Sequence, residues 1–290
     1  DIALLEPGLD WLTEHTGKPV FGVLPYLHGL VIDSEDSVSA AGTSEAGALK
    51  VVVPILPRIS NHNDFDPLRL HPGVDLVFVG TDEPIPPADL IILPGSKSTR
   101  HDLQWLKQQG WPEAIQKHLR YGGKLLGICG GFQMLGLKVE DPEGLEGEAG
   151  TTEGLALFEM VTRMVPGKQL RMVNGGLTSH VASTAVTGAL KGYEMHNGVT
   201  EGAALVRPFA ELEGRPDGAI SVDGQVAGTY IHGVFDEPAA CHAILAWAGL
   251  KTQGEQSVDY QRHRLQQLDR LADQVEQCLD TERLRRLLQL

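Results

Sequence analysis

One cysteine of the chain lies in a setting that would make it a nucleophile. The stretch KLLGICGGFQMLG, residues 124–136, runs from an apolar segment into Gly-Ile-Cys-Gly-Gly and then into helix-forming residues. Gly127 and Gly131, two positions before and after Cys129, leave room for a sharp strand-to-helix turn that presents the sulfur in a strained backbone conformation. The following helix N-terminus would favour the thiolate, which is the reactive form. The pattern predicts covalent catalysis at Cys129.

The competing interpretation of Cys129 is a buried structural cysteine whose glycines only turn the chain. Cys241 and Cys278 have no comparable setting, and we interpret both as core cysteines. Three cysteines without a C-x-x-C pair disfavour a disulfide scaffold and a structural zinc site, so we expect no metal and a reducing, cytoplasmic location.

A histidine late in the chain is the candidate base. The stretch GTYIHGVFD places His232 directly after a short apolar run, where a strand would end. A lone histidine is more often a structural or surface residue. A cysteine nucleophile needs a base within hydrogen-bond reach, and the family resemblance described below implies that His232 is the partner of Cys129.

Apolar segments alternating with helix would position these residues. Strand-like runs occur at residues 49–56, 74–79, 90–93 and 124–128, and a helical pattern that includes Leu103, Leu106, Ile115 and Leu119 lies between the last two, with Ser98 or Thr99 as a possible N-cap. Continuous apolar strands of this kind indicate a parallel sheet covered on both faces. We therefore predict an α/β fold with a mostly parallel central sheet, and from about residue 155 an antiparallel addition of shorter strands.

The sequence pattern at the two ends of the chain differs from that of the middle. A helical pattern ends at Gly17 and a short apolar strand is predicted at residues 19–24, followed by a linker-like stretch of small polar residues at 34–48. The tail from Tyr260 has the spacing of an amphipathic helix. We predict three parts: residues 1–46 as the end of another α/β domain plus linker, 47–250 as the main domain, and 251–290 as a helical appendage.

Charge and hydropathy exclude several function classes. The net charge of −14 would repel a polyanion, so we expect no nucleic-acid partner. No apolar run reaches the roughly 18 residues that a membrane-spanning helix needs, so we expect no membrane partner.

The motifs resemble those of class I glutamine amidotransferases, whose fold is flavodoxin-like. GICGGFQMLG is similar to their nucleophile segment, and the resemblance implies that Gln133 contacts the bound glutamine. LIILPGSKST, residues 90–99, is similar to their oxyanion loop, which implies that the N–H groups of Gly95 and Gly130 stabilise the tetrahedral intermediate. Ser96 separates Gly95 from Lys97, so GSKST lacks the spacing of a phosphate-binding loop.

The sequence departs from the family at one position. These enzymes usually have His-x-Glu, but Val234 stands two residues after His232 and cannot accept a hydrogen bond. We therefore expect a Cys129–His232 dyad with weak activity, unless a carboxylate from elsewhere, with Glu194 and Asp236 as candidates, supports the histidine.

The missing glutamate indicates the subgroup found in cobyric acid synthases and cobyrinic acid a,c-diamide synthases. PRISNHNDFDPL and GYEMHNG fit this subgroup, and the first 30 residues resemble a cobyric acid synthase. The resemblance implies glutamine as substrate, a corrinoid acceptor, and ATP and Mg²⁺ bound by an N-terminal synthetase domain, of which residues 1–46 would be the remnant. Another acceptor, such as a peptidoglycan precursor, and a non-catalytic module are the alternatives.

Within GYEMHNG, Glu194 and His196 are two residues apart and would share one face of a strand. They would either pair polar groups at a sheet edge or line the mouth of the active site.

The cysteine assignment predicts selective labelling. A glutamine-analogue alkylator should modify Cys129 alone, as peptide mass mapping would show. Cys129→Ser should abolish glutamine hydrolysis, whereas Cys241→Ser and Cys278→Ser serve as controls that keep it. Label on Cys241 or Cys278 would contradict the assignment.

Overall fold

The computed structural model describes residues 2–30, 32, 48–182, 188–251 and 259–288. The predicted linker at 34–48 lies outside the described residues except for its last position. The α-helices are α1 Glu6–Thr16, α2 Asp66–Leu70, α3 Thr99–Gln108, α4 Trp111–Arg120, α5 Gly130–Met134, α6 Pro238–Ala248, α7 Tyr260–Cys278 and α8 Thr281–Leu288. Short 3-10 helices lie at Ile2–Leu4, His62–Phe65 and Ala203–Val206.

The strands, in chain order, are β1 Leu49–Pro54, β2 Ile59–Ser60, β3 Val74–Val79, β4 Leu90–Leu93, β5 Gly95–Ser96, β6 Lys124–Ile128, β7 Lys138–Asp141, β8 Gly150–Glu153, β9 Met160–Leu177, β10 Ala189–Gly202, β11 Ala210–Leu212, β12 Arg215–Asp217, β13 Ala219–Ile220, β14 Val226–Thr229 and β15 Ile231–His232.

A six-stranded sheet in the order β13-β14-β6-β4-β1-β3 forms the centre of the fold. All neighbours in it are parallel except β13, which runs antiparallel to β14 at one edge. All four residues of the central strand β4 are buried, as expected for a strand covered on both faces. The four apolar runs became β1, β3, β4 and β6, which confirms the predicted α/β fold.

The helical pattern before β6 forms two helices, α3 and α4. Gly110 separates them in a left-handed conformation with φ of 71°, which glycine adopts without steric penalty. Ser98 occupies the N-cap position of α3, but its hydroxyl donates to the carbonyl of Glu146 at 3.0 Å instead of capping the helix.

A second, mostly antiparallel sheet follows in the order β12-β11-β9-β10-β15, with β7 and β8 attached to β9. This sheet is the predicted antiparallel addition. Its principal strands are not short, however, because β9 has 18 residues and β10 has 14, and they pair along most of their lengths with one irregularity between His196 and Gly198.

Residues 1–33 and 261–290 form one compact unit, and residues 34–260 form another. In the first unit α1 ends at Gly17 as predicted, with φ of 63°. The strand predicted at 19–24 is wrong: within the described residues only Gly22 pairs, in a single bridge to Leu279, and one paired position does not make a ladder. The amphipathic tail forms α7, which confirms the predicted C-terminal helix. In the described ranges, no helix is long and apolar enough to cross a bilayer.

Burial in the central sheet should dominate stability. Leu90 is completely buried in β4, whereas Leu170 on β9 is 70% exposed. Leu90→Ala should lower the free energy of unfolding by about 2–5 kcal/mol because it leaves a cavity. The matched control Leu170→Ala should change it by less than about 0.5 kcal/mol. Denaturant unfolding measures both, and equal losses would contradict the assignment of the core.

Candidate active site

The backbone at Cys129 has the strained turn that the sequence predicts. Cys129 lies between β6 and α5 with φ of 51° and ψ of −107°, a region that residues with a side chain rarely adopt. Its N–H donates to the carbonyl of Thr229 at 2.8 Å, and its carbonyl accepts the N–H of Gln133 at 3.1 Å. These bonds hold the turn between the central sheet and the short helix.

The glycines around Cys129 are required by close backbone packing. A Cβ atom on Gly131 would lie 2.1 Å from the carbonyl oxygen of Leu93, and one on Gly127 would lie 2.7 Å from that of Gly131. No side chain fits at such distances. The strand-to-helix turn at residues 127–131, here called the cysteine elbow, therefore packs directly against the end of β4.

His232 is buried beside Cys129 on β15. Its Nδ1 atom lies 2.7 Å from Oδ2 of Asp64, and its Nε2 atom is buried without a hydrogen-bond partner among the described residues. Burial lowers the pKa of His232, but the charge of Asp64, its hydrogen bond, and the interaction with Cys129 outweigh burial and raise the pKa to about 10. The imidazole is therefore protonated at neutral pH, and an imidazolium next to a cysteine favours the thiolate.

Asp64 supplies the carboxylate that the sequence analysis did not find. It is 3% exposed; its Oδ2 atom binds the ring of His232, and its Oδ1 atom accepts the N–H of Gly233 at 2.8 Å. The expected dyad without an acid is therefore wrong, and the supporting carboxylate is neither of the two that we named. Glu194 instead accepts from Arg171 at 3.0 Å and from Arg215 at 2.6 Å.

A short turn after β1 places Asp64. Asn61 adopts a left-handed conformation with φ of 53°, and the N–H of Asp64 donates to its carbonyl at 2.9 Å. The side chain of Asn61 donates to the hydroxyl of Tyr193, whose ring stacks on His232 at 5.3 Å. One signal could have found Asp64: it lies in a polar segment after the first parallel strand, and sites in such sheets lie at the carboxyl ends of the strands.

The Gln133 side chain lies below the elbow, fixed at both ends. Its Oε1 atom accepts from the hydroxyl of Thr99 at 3.0 Å, and its Nε2 atom is 3.4 Å from the hydroxyl of Tyr230. Gln133 and Cys129 line the same pocket. Contact of Gln133 with a bound glutamine, which the resemblance implies, stays a prediction.

The two expected oxyanion donors lie on either side of the elbow. Gly130 is the first residue of α5, so its N–H has no intrahelical acceptor. Gly95 lies opposite Ser60 in the short β2–β5 ladder, and a Cβ on it would come within 3.1 Å of the His232 ring.

Ser96 is a donor that the sequence analysis did not consider. The N–H of Lys97 donates to the carbonyl of Arg58 in β2–β5 pairing, and alternation along a strand turns the N–H of Ser96 away from β2. This nitrogen lies 2.8 Å from the place where a Cβ of Gly130 would be. Ser96 also lines the pocket that contains Cys129.

The pocket at Cys129 has a volume of about 230 Å³ and a mixed lining. Lys97, Glu146 and Lys168 contribute charged groups, and His196 and Asn197 of β10 contribute polar ones. Of the pair on GYEMHNG, His196 lines this pocket, whereas Glu194 forms the ion pairs described above. In the described ranges, no three His, Cys, Asp or Glu side chains are arranged to hold a metal ion.

Solved structures with this fold share the arrangement of the sheet. The structure of PurLQS from Thermotoga maritima is 16% identical, with a TM-score of 0.52, and covers 69% of this chain and 99% of its own. A crystal structure of a glutamine amidotransferase is 21% identical, with a TM-score of 0.51, and covers 69% of this chain and 98% of its own. At this identity the similarity establishes a class I glutamine amidotransferase fold.

The family follows from the sequence match. Residues 50–240, about two thirds of the chain, match the CobB/CobQ-like glutamine amidotransferase domain. The chain belongs to this family of glutamine-hydrolysing amidotransferases.

The Asp64–His232 contact predicts a rate and pH effect. Asp64→Asn should lower kcat/KM for glutamine hydrolysis by about 10²- to 10⁴-fold, because the imidazole loses its orienting carboxylate. Without the negative charge the pKa of His232 falls, so the loss of activity at high pH should move from near pH 10 to lower pH. A pH profile of kcat/KM measures both, with Asp66→Asn as a nearby control. An unchanged rate and profile would contradict the role of Asp64.

Proposed function

We propose that Cys129, His232 and Asp64 hydrolyse glutamine by acyl transfer. The thiolate of Cys129 attacks the side-chain amide carbon and forms a tetrahedral intermediate. The C–N bond breaks, His232 gives its proton to the leaving nitrogen, and ammonia departs from a thioester. Water then attacks the thioester, His232 takes up a proton from it, and glutamate and the thiolate are released.

The main support for this proposal is the buried carboxylate of Asp64. It forms a hydrogen bond with His232, which lies beside a cysteine in a strained turn. The carboxylate fixes the ring with Nδ1 towards Asp64, so that Nε2 is the nitrogen available for proton transfer. The N–H of Gly130, with that of Gly95 or Ser96, forms the oxyanion hole. We favour Ser96 because its N–H lies away from β2 and against Gly130. Each such donor contributes about 3–4 kcal/mol to transition-state stabilisation.

For the acceptor, we propose a corrinoid. The chain would be the amidotransferase part of a cobyric acid synthase, which converts cobyrinic acid a,c-diamide to cobyric acid by four amidations in cobalamin biosynthesis. The resemblance of LLEPGLDWLTEHTGKPVFGVLPYLHGL, at the start of the chain, supports this acceptor. The ammonia would pass to a synthetase domain that uses ATP and Mg²⁺ to activate the corrinoid carboxylates, in the cytoplasm.

The alternatives differ in the acceptor or in the chemistry. An amidotransferase of this family that serves a peptidoglycan precursor would have the same cysteine site, and only the N-terminal resemblance separates it from our proposal. A non-catalytic module would have no need for the strained cysteine and the buried Asp64–His232 pair.

Asp64 also changes the expected rate. Weak activity was expected because Val234 cannot orient the imidazole, but Asp64 performs that role from another segment. We therefore propose that this chain hydrolyses glutamine without an acceptor and that a synthetase domain is needed only for amide transfer.

An assay with separated components tests the proposal. The chain alone should release glutamate from glutamine, and Cys129→Ser should not. ATP-dependent amidation of cobyrinic acid a,c-diamide should appear only when the synthetase domain of a cobyric acid synthase is added, with mass spectrometry counting the new amides. Glutamine-dependent amidation of a peptidoglycan precursor with its own synthetase, and none of the corrinoid, would overturn the acceptor assignment.

A further inference from the structure

The pocket at Cys129 contains one carboxylate that the proposed chemistry does not use. This is Glu146, whose Oε2 atom accepts the N–H of Thr99 at 2.7 Å. The hydroxyl of Thr99 in turn donates to Gln133, four residues after Cys129. Two hydrogen bonds therefore connect Glu146 to the side chain below the elbow.

Hydrogen bonds hold the loop between β7 and β8 in a position in which Glu146 lines the pocket. Both oxygens of Asp141, at the end of β7, accept from this loop, at 2.8 Å from the N–H of Leu145 and at 3.0 Å from that of Glu146. The carbonyl of Glu146 accepts from the hydroxyl of Ser98 at 3.0 Å. The backbone on both sides of this carboxylate is thus held by α3 and β7.

Burial has the largest effect on the pKa of the Glu146 carboxylate. Burial, followed by the negative charges of Asp141 and Asp102, raises its pKa to about 7, although the N–H of Thr99 favours the charged form. A cation next to Glu146 would lower the cost of burying the charged carboxylate.

The rest of the lining fits a zwitterion. Lys97 and Lys168 lie on the pocket wall with exposed side chains, and Asn197 contributes an amide whose Oδ1 atom is buried without a donor among the described residues. An α-amino acid presents one ammonium and one carboxylate group. The lining offers a carboxylate and an amide oxygen for the first, and it includes two lysines whose charge is complementary to the second.

We propose that Glu146 binds the α-ammonium group of glutamine and so selects a free α-amino acid over amides that lack this group. The inference rests on the proposed chemistry at Cys129 and specifies how its substrate is recognised. The N–H of Thr99 fixes the Oε2 atom of this carboxylate, which lines the pocket that contains Cys129.

A purely structural role for Glu146 predicts a different result. If it only supported the start of α3, its replacement would impair hydrolysis of every amide equally. Glutaramate, which is glutamine without its amino group, separates the two cases, because it has the same amide and carboxylate but no ammonium.

The test compares two substrates and three proteins. Glu146→Gln keeps an acceptor for the N–H of Thr99 but removes the charge, and Glu143→Gln on the same loop is the matched control. Glu146→Gln should lower kcat/KM for L-glutamine by about 10- to 100-fold, mainly through KM, which is the loss expected for one charge-assisted hydrogen bond. For glutaramate, kcat/KM should change by less than about threefold. Where turnover of glutaramate is slow, its inhibition constant against glutamine replaces kcat/KM and should change by as little. Glu143→Gln should match the wild type with both.

The pH dependence of KM is the second readout. The charged form of Glu146 binds the ammonium, so KM for glutamine should fall as the pH rises through about 7, and Glu146→Gln should remove this dependence. The charged groups that act on Glu146 are Asp141 and Asp102. His101 acts on Asp102, and Lys97 and Lys168 line the same pocket.

Two further titratable groups lie near the cysteine. Burial lowers the pKa of His196 from its ordinary value, and the pKa of His232 is raised to about 10, chiefly by Asp64. A KM that still titrates near 7 in Glu146→Gln, or an equal loss with glutaramate, would overturn the proposal. If the wild type hydrolysed neither substrate, the result would contradict the proposed chemistry at Cys129 and not the role of Glu146.

Discussion

The hydrogen bond between Nδ1 of His232 and Oδ2 of Asp64 joins two parts of the chain that are 168 residues apart. Both groups are almost completely buried, so an unpaired partner would leave a charge or a polar nitrogen in an apolar environment. The same carboxylate accepts the N–H of Gly233 and thereby fixes the backbone after β15. The turn after β1, the end of the second sheet and the cysteine elbow must therefore be in place together for this bond to form.

The elbow imposes the second constraint, which is steric. The backbone of Cys129 is held in a costly conformation by bonds to β14 and α5, and the end of β4 approaches too closely for any Cβ at Gly131. This packing brings the backbone nitrogen of Ser96 in β5 close to Gly130 at the start of α5. A strained turn of this kind costs about 1–3 kcal/mol, which the surrounding central sheet offsets.

The two sheets contribute different parts of the site. The parallel sheet ends at Cys129 and at the turn that bears Asp64, so the nucleophile and the acid follow from its topology. The antiparallel sheet contributes His232 and the β10 segment that contains Met195 and His196, whose backbone and ring line the pocket. The thiol of Cys129 lies 3.6 Å from the carbonyl of Met195, which shows how closely β10 covers the sulfur. The β7–β8 loop adds Glu146, for which we propose a role in substrate selection.

The sequence by itself determined the features that depend on neighbouring residues. Apolar runs identified β1, β3, β4 and β6, the glycine spacing identified the turn at Cys129, and the three- and four-residue steps identified α7, because each pattern reports local geometry. Pairing between distant segments was decided only by the tertiary structure. The lengths of β9 and β10 depend on their mutual pairing, and the segment at 19–24 lacks a strand because, within the described residues, it forms a single isolated bridge and no ladder. Asp64 was missed for the same reason. Its carboxylate meets His232 only because the fold brings these two segments together, and they are 168 residues apart in the chain. The sequence therefore contains no local pattern that indicates this contact.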